Sequence, residues 1–325
     1  MPERRRPLTF IPQLLPDQTL YSWVAVYHHL SGNASEVDSV TQLFWSRNAG
    51  WHFHIPSHLD NFCASTRRVL GEPEELVQKA TILPAYLWFR PDSITGMILE
   101  RVRGDSTAGV AQMLGISHSA LATFAPRRCC RQCVEADRYE FGTAYWHRSH
   151  QLPGVLICPR HQVPLHASRR LASNKWRRHF FSPEAELADT FRVSQTFSDN
   201  HSYEILIRLA TLSEAFASEA IPGGYRPEAM QRVCVAALKE RGLYRENLAQ
   251  CVLDTTQEFT AYYEPIAEHP ELGFFISRQT TRRLWTWLHS DGQAVHPLEH
   301  LLLIAWLFGT REEFIHRYAN NGQSS

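Results

Sequence analysis

Cys130-Arg131-Gln132-Cys133 and, after 24 intervening residues, Cys158-Pro159-Arg160-His161 form the stretch whose reading decides this fold. Two residues separate the members of each pair, a spacing at which one tight turn aims both donors at a single point. Two such pairs supply four soft or borderline donors for one tetrahedral ion. Zinc suits thiolate and imidazole together, and a closed Cys3His shell leaves no open position for substrate, so the expected role is structural. Binding of this kind contributes on the order of 10 kcal/mol to folding a loop-rich segment. Cys129 could replace Cys130 with three residues between the donors, and His147 and His150 lie between the pairs as substitute ligands. Those alternatives stay open at this stage. Cys63, Cys234 and Cys251 stand alone in apolar patterns and read as core residues.

The second ligand pair lies inside a run of one-signed charge. The 325-residue chain has 33 Lys+Arg against 33 Asp+Glu, which taken whole argues against a polycationic nucleic-acid coat. The balance is a sum of unlike parts. Residues 141–183 hold Arg148, Arg160, Arg169, Arg170, Lys175, Arg177 and Arg178 and no acid, a net of +7, whereas residues 184–325 carry a net of −7. Trp146, Trp176, Phe180 and Phe181 interleave the basic residues, as on a surface that meets phosphates and bases. The seven basic side chains are therefore expected to contact DNA.

Composition sets the wider frame. With 44% hydrophobic and 20% charged residues the chain is an ordinary globular one, long enough for about two domains at ~150 residues each. An odd number of cysteines, clustered near a metal-like pattern, suits a reduced cytoplasm better than a secreted disulfide framework. The longest apolar stretch, Leu301 to Phe308, is far below the ~20 residues that span a bilayer, so no membrane association is expected. No signal peptide is apparent behind the basic N-terminal cluster.

The periodicity outside the cysteine block predicts a mainly α-helical protein. Leu20, Trp23, Val24, Tyr27 and Leu30 recur at helical spacing after Asp17 as a candidate cap, and Gly32-Asn33 stops the run. Further helices are expected over 37–45, from Pro73, over 227–240, 245–263, 279–289 and 297–308, and after the capping box Thr310-Arg311-Glu312-Glu313. Residues 182–200, rich in Ser, Thr, Asp and Asn, read as a linker. Ala111 to Leu121 has the small-residue-to-Gly spacing of a helix-turn-helix around Gly115, which would aim Ser117, His118 and Ser119 at a DNA groove; an ordinary helical hairpin fits it equally. Ala305 to Ile315 repeats that spacing, but Glu312 and Glu313 would repel phosphate, so packing is the better reading there.

Enzymatic readings fare poorly. His296-Pro297-Leu298-Glu299-His300 spells H-x-x-E-H, the inverted zinc-protease motif. Pro297 fits best in the first turn of a helix, which leaves His296 at the cap and off the face that His300 would occupy. A phosphate-binding loop, a nucleophile elbow and a deaminase signature are all missing from the sequence. The chain is not expected to be an enzyme, and the hydrolase is the weakest of the three functional alternatives.

Taken together these motifs resemble the TniQ/TnsD family of transposition target-site selection proteins. The resemblance is carried by Cys130 to Cys133, by Tyr145-Trp146-His147-Arg148-Ser149-His150-Gln151-Leu152-Pro153-Gly154-Val155, and by Cys158 through Leu165. Leu15 to Trp23 is similar to that family's opening P-x-E-S-L-x-S-W segment, with Asp17-Gln18 in place of the usual acid and its neighbour. Gln42-Leu43-Phe44 resembles its L-F-G element, with Trp45 replacing Gly, and His296 to Gly309 resembles a C-terminal segment of the TnsD branch. Arg131 departs from the usual Pro after the first Cys, and no second cysteine cluster follows residue 165. The resemblance implies a zinc-containing, DNA-associated adaptor that marks an insertion site and recruits an AAA+ regulator of the TnsC type, which brings the transposase. It leaves open whether such a protein reads target DNA itself or joins a Cascade complex with its guide RNA. The expected organisation is a helical region at 1–125, a zinc-finger and basic module at 126–182, and a C-terminal helical, partner-docking part at 183–325.

Overall fold

The computed structural model describes residues 8–51, 54–116, 126–169, 178–193, 199–219, 224–244, 248–277, 285, 288 and 295–321. Ser117, His118, Ser119, Arg170, Lys175 and Arg177 fall outside the described residues, as does nearly all of the helix expected over 279–289.

Helix α1 (Leu20–Ser31) is capped by Thr19, whose hydroxyl accepts from the Ser22 amide, and it stops where Gly32 enters the left-handed region at φ 65°. Asp17 is therefore not its cap. That residue sits two positions further out, itself at φ 57°, and its carboxylate is used elsewhere. Ser35 caps α2 (Glu36–Phe44), which ends on Trp45 at φ 58°. Trp45 stands where the family resemblance has Gly, and it adopts the backbone shape that Gly would take freely, at a cost of about 1–2 kcal/mol. Helices α3 (Leu59–Ser65), α4 (Pro73–Ala80), α5 (Leu83–Leu87), α6 (Asp92–Arg103) and α7 (Val110–Met113) complete the N-terminal layer. Its core is aromatic: Phe62 lies between Trp23, edge-on at 5.2 Å, and Phe44, stacked at 5.0 Å.

A small antiparallel sheet marks the middle of the chain. Strand β1 (Arg128–Cys129) pairs with β2 (His166–Ser168), which pairs with β3 (Thr190–Arg192), with Cys129 opposite His166 and His166 opposite Arg192. The stretch read as a linker thus supplies the third strand, preceded by the short helix α9 (Pro183–Glu186). Polar composition misled because β3 and α9 are tied down by pairing and by Glu186, which is buried and accepts from Arg127 at 2.5 Å. Helix α8 (Arg131–Phe141) starts directly after β1 and closes on Gly142 at φ 74°.

The C-terminal helices are α10 (Asn200–Ser218), α11 (Pro227–Glu240), α12 (Leu248–Tyr263), α13 (Gly273–Ile276), α14 (Pro297–Leu307) and α15 (Arg311–Asn321). Every residue of α14 is buried, including Glu299 and His300, as suits a helix apolar nearly all round. It packs against α10 and α11, and Gly309 at φ 78° turns the chain into α15. Of the capping box, Thr310 Oγ1 accepts from the Glu313 amide, while the Glu313 carboxylate pairs with Arg317. Among the described residues no helix is long and apolar enough to cross a membrane.

Helix α10 joins this layer to the first. It lies against α5, with Trp88 edge-on to Phe216 at 4.3 Å and Gln78 Nε2 donating to the Ala217 carbonyl at 3.2 Å. Arg90 is a second tie. Its buried guanidinium donates to the carbonyls of Leu114 and Val295, both at 2.7 Å, and so clips α7 to the entry of α14. Gly115 passes this clip at φ 72°, where an added Cβ would meet Arg90 at 2.8 Å and the Val295 carbonyl oxygen at 2.9 Å.

Gly115→Ala is therefore expected to cost the left-handed penalty of about 1–2 kcal/mol plus overpacking of about 1–3 kcal/mol. Gly32→Ala, with a similar φ and no atom within 4 Å of the new Cβ, should cost the first part alone. Denaturant unfolding of both variants reads the difference, and equal losses would refute the Arg90 clip as the reason.

Candidate metal centre

The two cysteine-containing turns meet at one point. Cys130 is the cap residue of α8, and Cys133 lies in that helix's first turn. Cys158 and His161 occupy a tight loop in which the Cys158 amide donates to the Val163 carbonyl at 2.8 Å and Gln162 takes φ 52°. The His161 amide turns back to the Cys158 sulfur at 3.4 Å. The Sγ atoms of Cys130, Cys133 and Cys158 and one ring nitrogen of His161 all lie within 4.8 Å of one another. From His161 Nδ1 the sulfurs are 3.5, 3.3 and 3.6 Å away, and Cys133 and Cys158 are 3.7 Å apart. A tetrahedron with metal–sulfur bonds of ~2.3 Å and a metal–nitrogen bond of ~2.0–2.1 Å has edges of about 3.8 Å between sulfurs and about 3.5 Å from sulfur to nitrogen. The three sulfur-to-nitrogen distances and the Cys133–Cys158 distance lie close to those edges.

Electrostatics point the same way. Hydrogen bonds from Cys133 and Cys158 drive the Cys130 thiol far below its usual range, while hydrogen bonding to Cys130, with burial added, raises Cys133 and lifts Cys158 to about 11. A divalent cation among the three sulfurs would favour their deprotonated forms. Cys129 lies outside the cluster. It lies on β1 opposite His166, and burial pushes its thiol up to about 12. His147 and His150, the substitute ligands of the sequence reading, are also outside the group of four.

The N-terminal segment packs onto this centre through a clasp. Thr19 donates its amide to Trp146 O at 3.0 Å, Arg148 donates its own to Asp17 O at 2.6 Å, and Ser22 Oγ accepts from Trp146 N at 3.0 Å. The Asp17 carboxylate accepts from the Ser149 amide at 3.1 Å and from the Ser149 hydroxyl at 2.5 Å. His147 stands between two carboxylates, Asp137 at 2.9 Å from Nε2 and Asp17 at 3.5 Å from Nδ1. Burial disfavours its cation, yet hydrogen bonds to Asp137 and Asp17 outweigh that and raise it to about 9. Burial would likewise raise Asp17, but hydrogen bonds from His147 and Ser149 hold it below its ordinary value. Gln151 closes the clasp, donating to the carbonyls of Arg128 at 2.7 Å and His147 at 2.9 Å. Asp17, Asp137, Ser149 and Gln151 carried no isolated signal, because each works by contact with residues distant in the chain.

The basic residues divide. Arg148 is inside the clasp, paired with Asp17 at 3.4 Å and donating to the Gln78 carbonyl at 2.5 Å, with 13% of its side chain exposed. Arg160, Arg169 and Arg178 are exposed. Arg169 lies over the Phe191 ring at 5.3 Å, and Arg178 donates to Asn48 at 3.1 Å. In the H-x-x-E-H segment, His296 caps α14 by accepting from the Leu298 amide, and His300 stacks on Phe89 at 4.4 Å. The two imidazoles thus serve different contacts, one a helix cap and the other a ring stack.

Comparison with known proteins coincides with this geometry. The TniQ family model matches residues 9–165, which span both the clasp and the four-donor cluster. Transposon Tn7 transposition protein TnsD of Escherichia coli is 23% identical over 146 residues. That stretch is 45% of this chain and 29% of the Escherichia coli protein.

The bracketed His147 gives a measurable pH dependence. With a folded value near 9 against an ordinary 6.5, its contribution to stability is complete below about pH 6.5 and is lost as pH rises through 9. NMR titration should find the His147 ring protonated at neutral pH, and Asp137→Asn should lower its midpoint. A midpoint near 6.5 in the unaltered protein would contradict the bracket.

Proposed function

We propose that this chain, whose residues 9–165 match the TniQ family model, selects insertion sites for a Tns-type DNA transposon. The chain spans 29% of the curated relative it matches, so the functional assignment rests on that shared part. The observation that carries it is the coincidence of the family match with the converged Cys3His cluster and the N-terminal clasp, which form one packed unit. In this reading the protein binds target DNA, recruits an AAA+ regulator and through it the transposase, and performs no bond-making chemistry.

The metal is proposed to be zinc, held by Cys130, Cys133, Cys158 and His161. Three thiolates and an imidazole at tetrahedral separations fit that ion, and a full shell of protein donors supports a structural part. DNA contact is assigned to the exposed Arg160, Arg169 and Arg178, together with Arg170, Lys175 and Arg177 and the Ser117, His118 and Ser119 turn from the sequence. Arg148 supports that surface from inside the clasp. The regulator is assigned to the acidic C-terminal half, whose exposed carboxylates include Glu204, Glu228, Glu258, Glu264 and Glu268. On this reading 126–182 is the DNA-facing module between two helical parts.

Metal analysis of purified protein should find one zinc per chain, and Cys158→Ser should reduce both metal content and thermal stability. A metal-free wild type that is equally stable would end the zinc assignment. DNA affinity should fall with salt, and the combined Arg160→Ala, Arg169→Ala and Arg178→Ala variant should lower the slope by roughly one unit per lost phosphate contact. An unchanged slope would remove the basic surface from the interface. If wild-type protein prefers no duplex sequence and co-purifies with a Cascade complex, the guide-dependent adaptor replaces the direct DNA reader.

A further inference from the structure

One polar contact at the cluster is not explained by its four donors. His150 is 1% exposed, and its Nε2 stands 3.7 Å from the Cys133 sulfur. Its Nδ1 is buried and has no hydrogen-bond partner among the described residues. The ring is not a fifth ligand, because the donors that converge within 4.8 Å are Cys130, Cys133, Cys158 and His161.

A neutral imidazole carries one proton, and its two placements are unequal here. With the proton on Nδ1, a buried N–H would lack any acceptor and the Nε2 lone pair would face an electron-rich sulfur. With the proton on Nε2, an N–H meets the sulfur and only a lone pair is left bare. Buried orphan N–H groups are the costlier defect. The packing therefore selects the Nε2–H form.

We propose that His150 donates its Nε2–H to the Cys133 sulfur and is a positioning residue that holds Cys133 as a thiolate ligand. The inference rests on the reading of the four donors as a metal shell. Three thiolates and one neutral imidazole around a divalent ion leave one net negative charge in a buried place, where each N–H aimed at sulfur lowers its cost. The His161 amide serves Cys158 in this way at 3.4 Å. His150 does the same for Cys133. Its ring packs against that of His147 at 4.9 Å, and His147 is fixed by Asp137 and Asp17. A line of contacts thus runs from the N-terminal segment to a metal-binding sulfur.

The test begins with the unaltered protein. Metal analysis first establishes that wild type binds zinc; if it binds none, the shell reading falls and this inference falls with it. In zinc-loaded, 15N-labelled protein, long-range nitrogen–proton correlation should show His150 protonated at Nε2 and bare at Nδ1. Protonation at Nδ1 would overturn the proposal without any substitution. Against a competing chelator, His150→Leu should lose zinc 10–100-fold more readily than wild type, while His150→Gln, which keeps an N–H donor, should recover most of the affinity. In cobalt-substituted protein the thiolate-to-metal charge-transfer band should shift in His150→Leu and return toward wild type in His150→Gln. Equal zinc retention and unshifted bands in all three proteins would overturn it.

Discussion

Four donor atoms from two distant turns reach tetrahedral separations only if both turns are held rigidly, and most of the central architecture serves that constraint. The α8 N-terminus fixes Cys130 and Cys133, the tight loop after Cys158 fixes His161, and the β1–β2 pairing brings the two turns to the same place. The remaining chain is built outward from this point. Strand β3 extends the sheet, Glu186 locks Arg127 behind it, and α10 closes over the N-terminal helices. A loop-rich segment with short strands has little regular hydrogen bonding of its own, which is why a metal shell there would bear so much of its stability.

The clasp between Asp17–Ser22 and Trp146–Ser149 makes the N-terminal segment part of the centre rather than an appendage. Its central group is the buried His147 ring between two carboxylates, an arrangement costly to assemble from water but strongly destabilising to break from one side. That asymmetry favours a unique docking geometry. The family match over residues 9–165 encloses both halves of the clasp and all four donors.

The charge partition acquires a spatial meaning from the same architecture. Arg148 has been drawn inward as a clasp member, while Arg160 and Arg169 remain exposed near the four-donor loop and the sheet, and Arg178 is exposed beside Asn48. The apolar α14 and its neighbours take the opposite role. They bury Glu299 and His300 within a helical layer and leave the acidic surface of the C-terminal half to solvent.

The helices were legible from sequence because their signals are local: Gly32, Pro73, Pro227, Gly242 and Gly309 mark boundaries through their own backbone preferences. The four donors were legible for the same reason, since two-residue spacing is a property of each turn. What stayed hidden depended on distance along the chain. Asp17 looked like a helix cap until Ser149 and His147 were seen beside it, and the polar stretch 182–200 looked like a linker until β2 offered it a partner. Cys129 belongs to strand β1 while Cys130 caps α8 and converges with the other three donors, a distinction that spacing alone does not fix. Sequence by itself determined the helical class, the spacing of the four candidate donors and the charge segregation along the chain, because periodicity, spacing and composition act over a few residues. Only the tertiary structure decided which polar groups meet, because burial and pairing are properties of the contact and not of either residue.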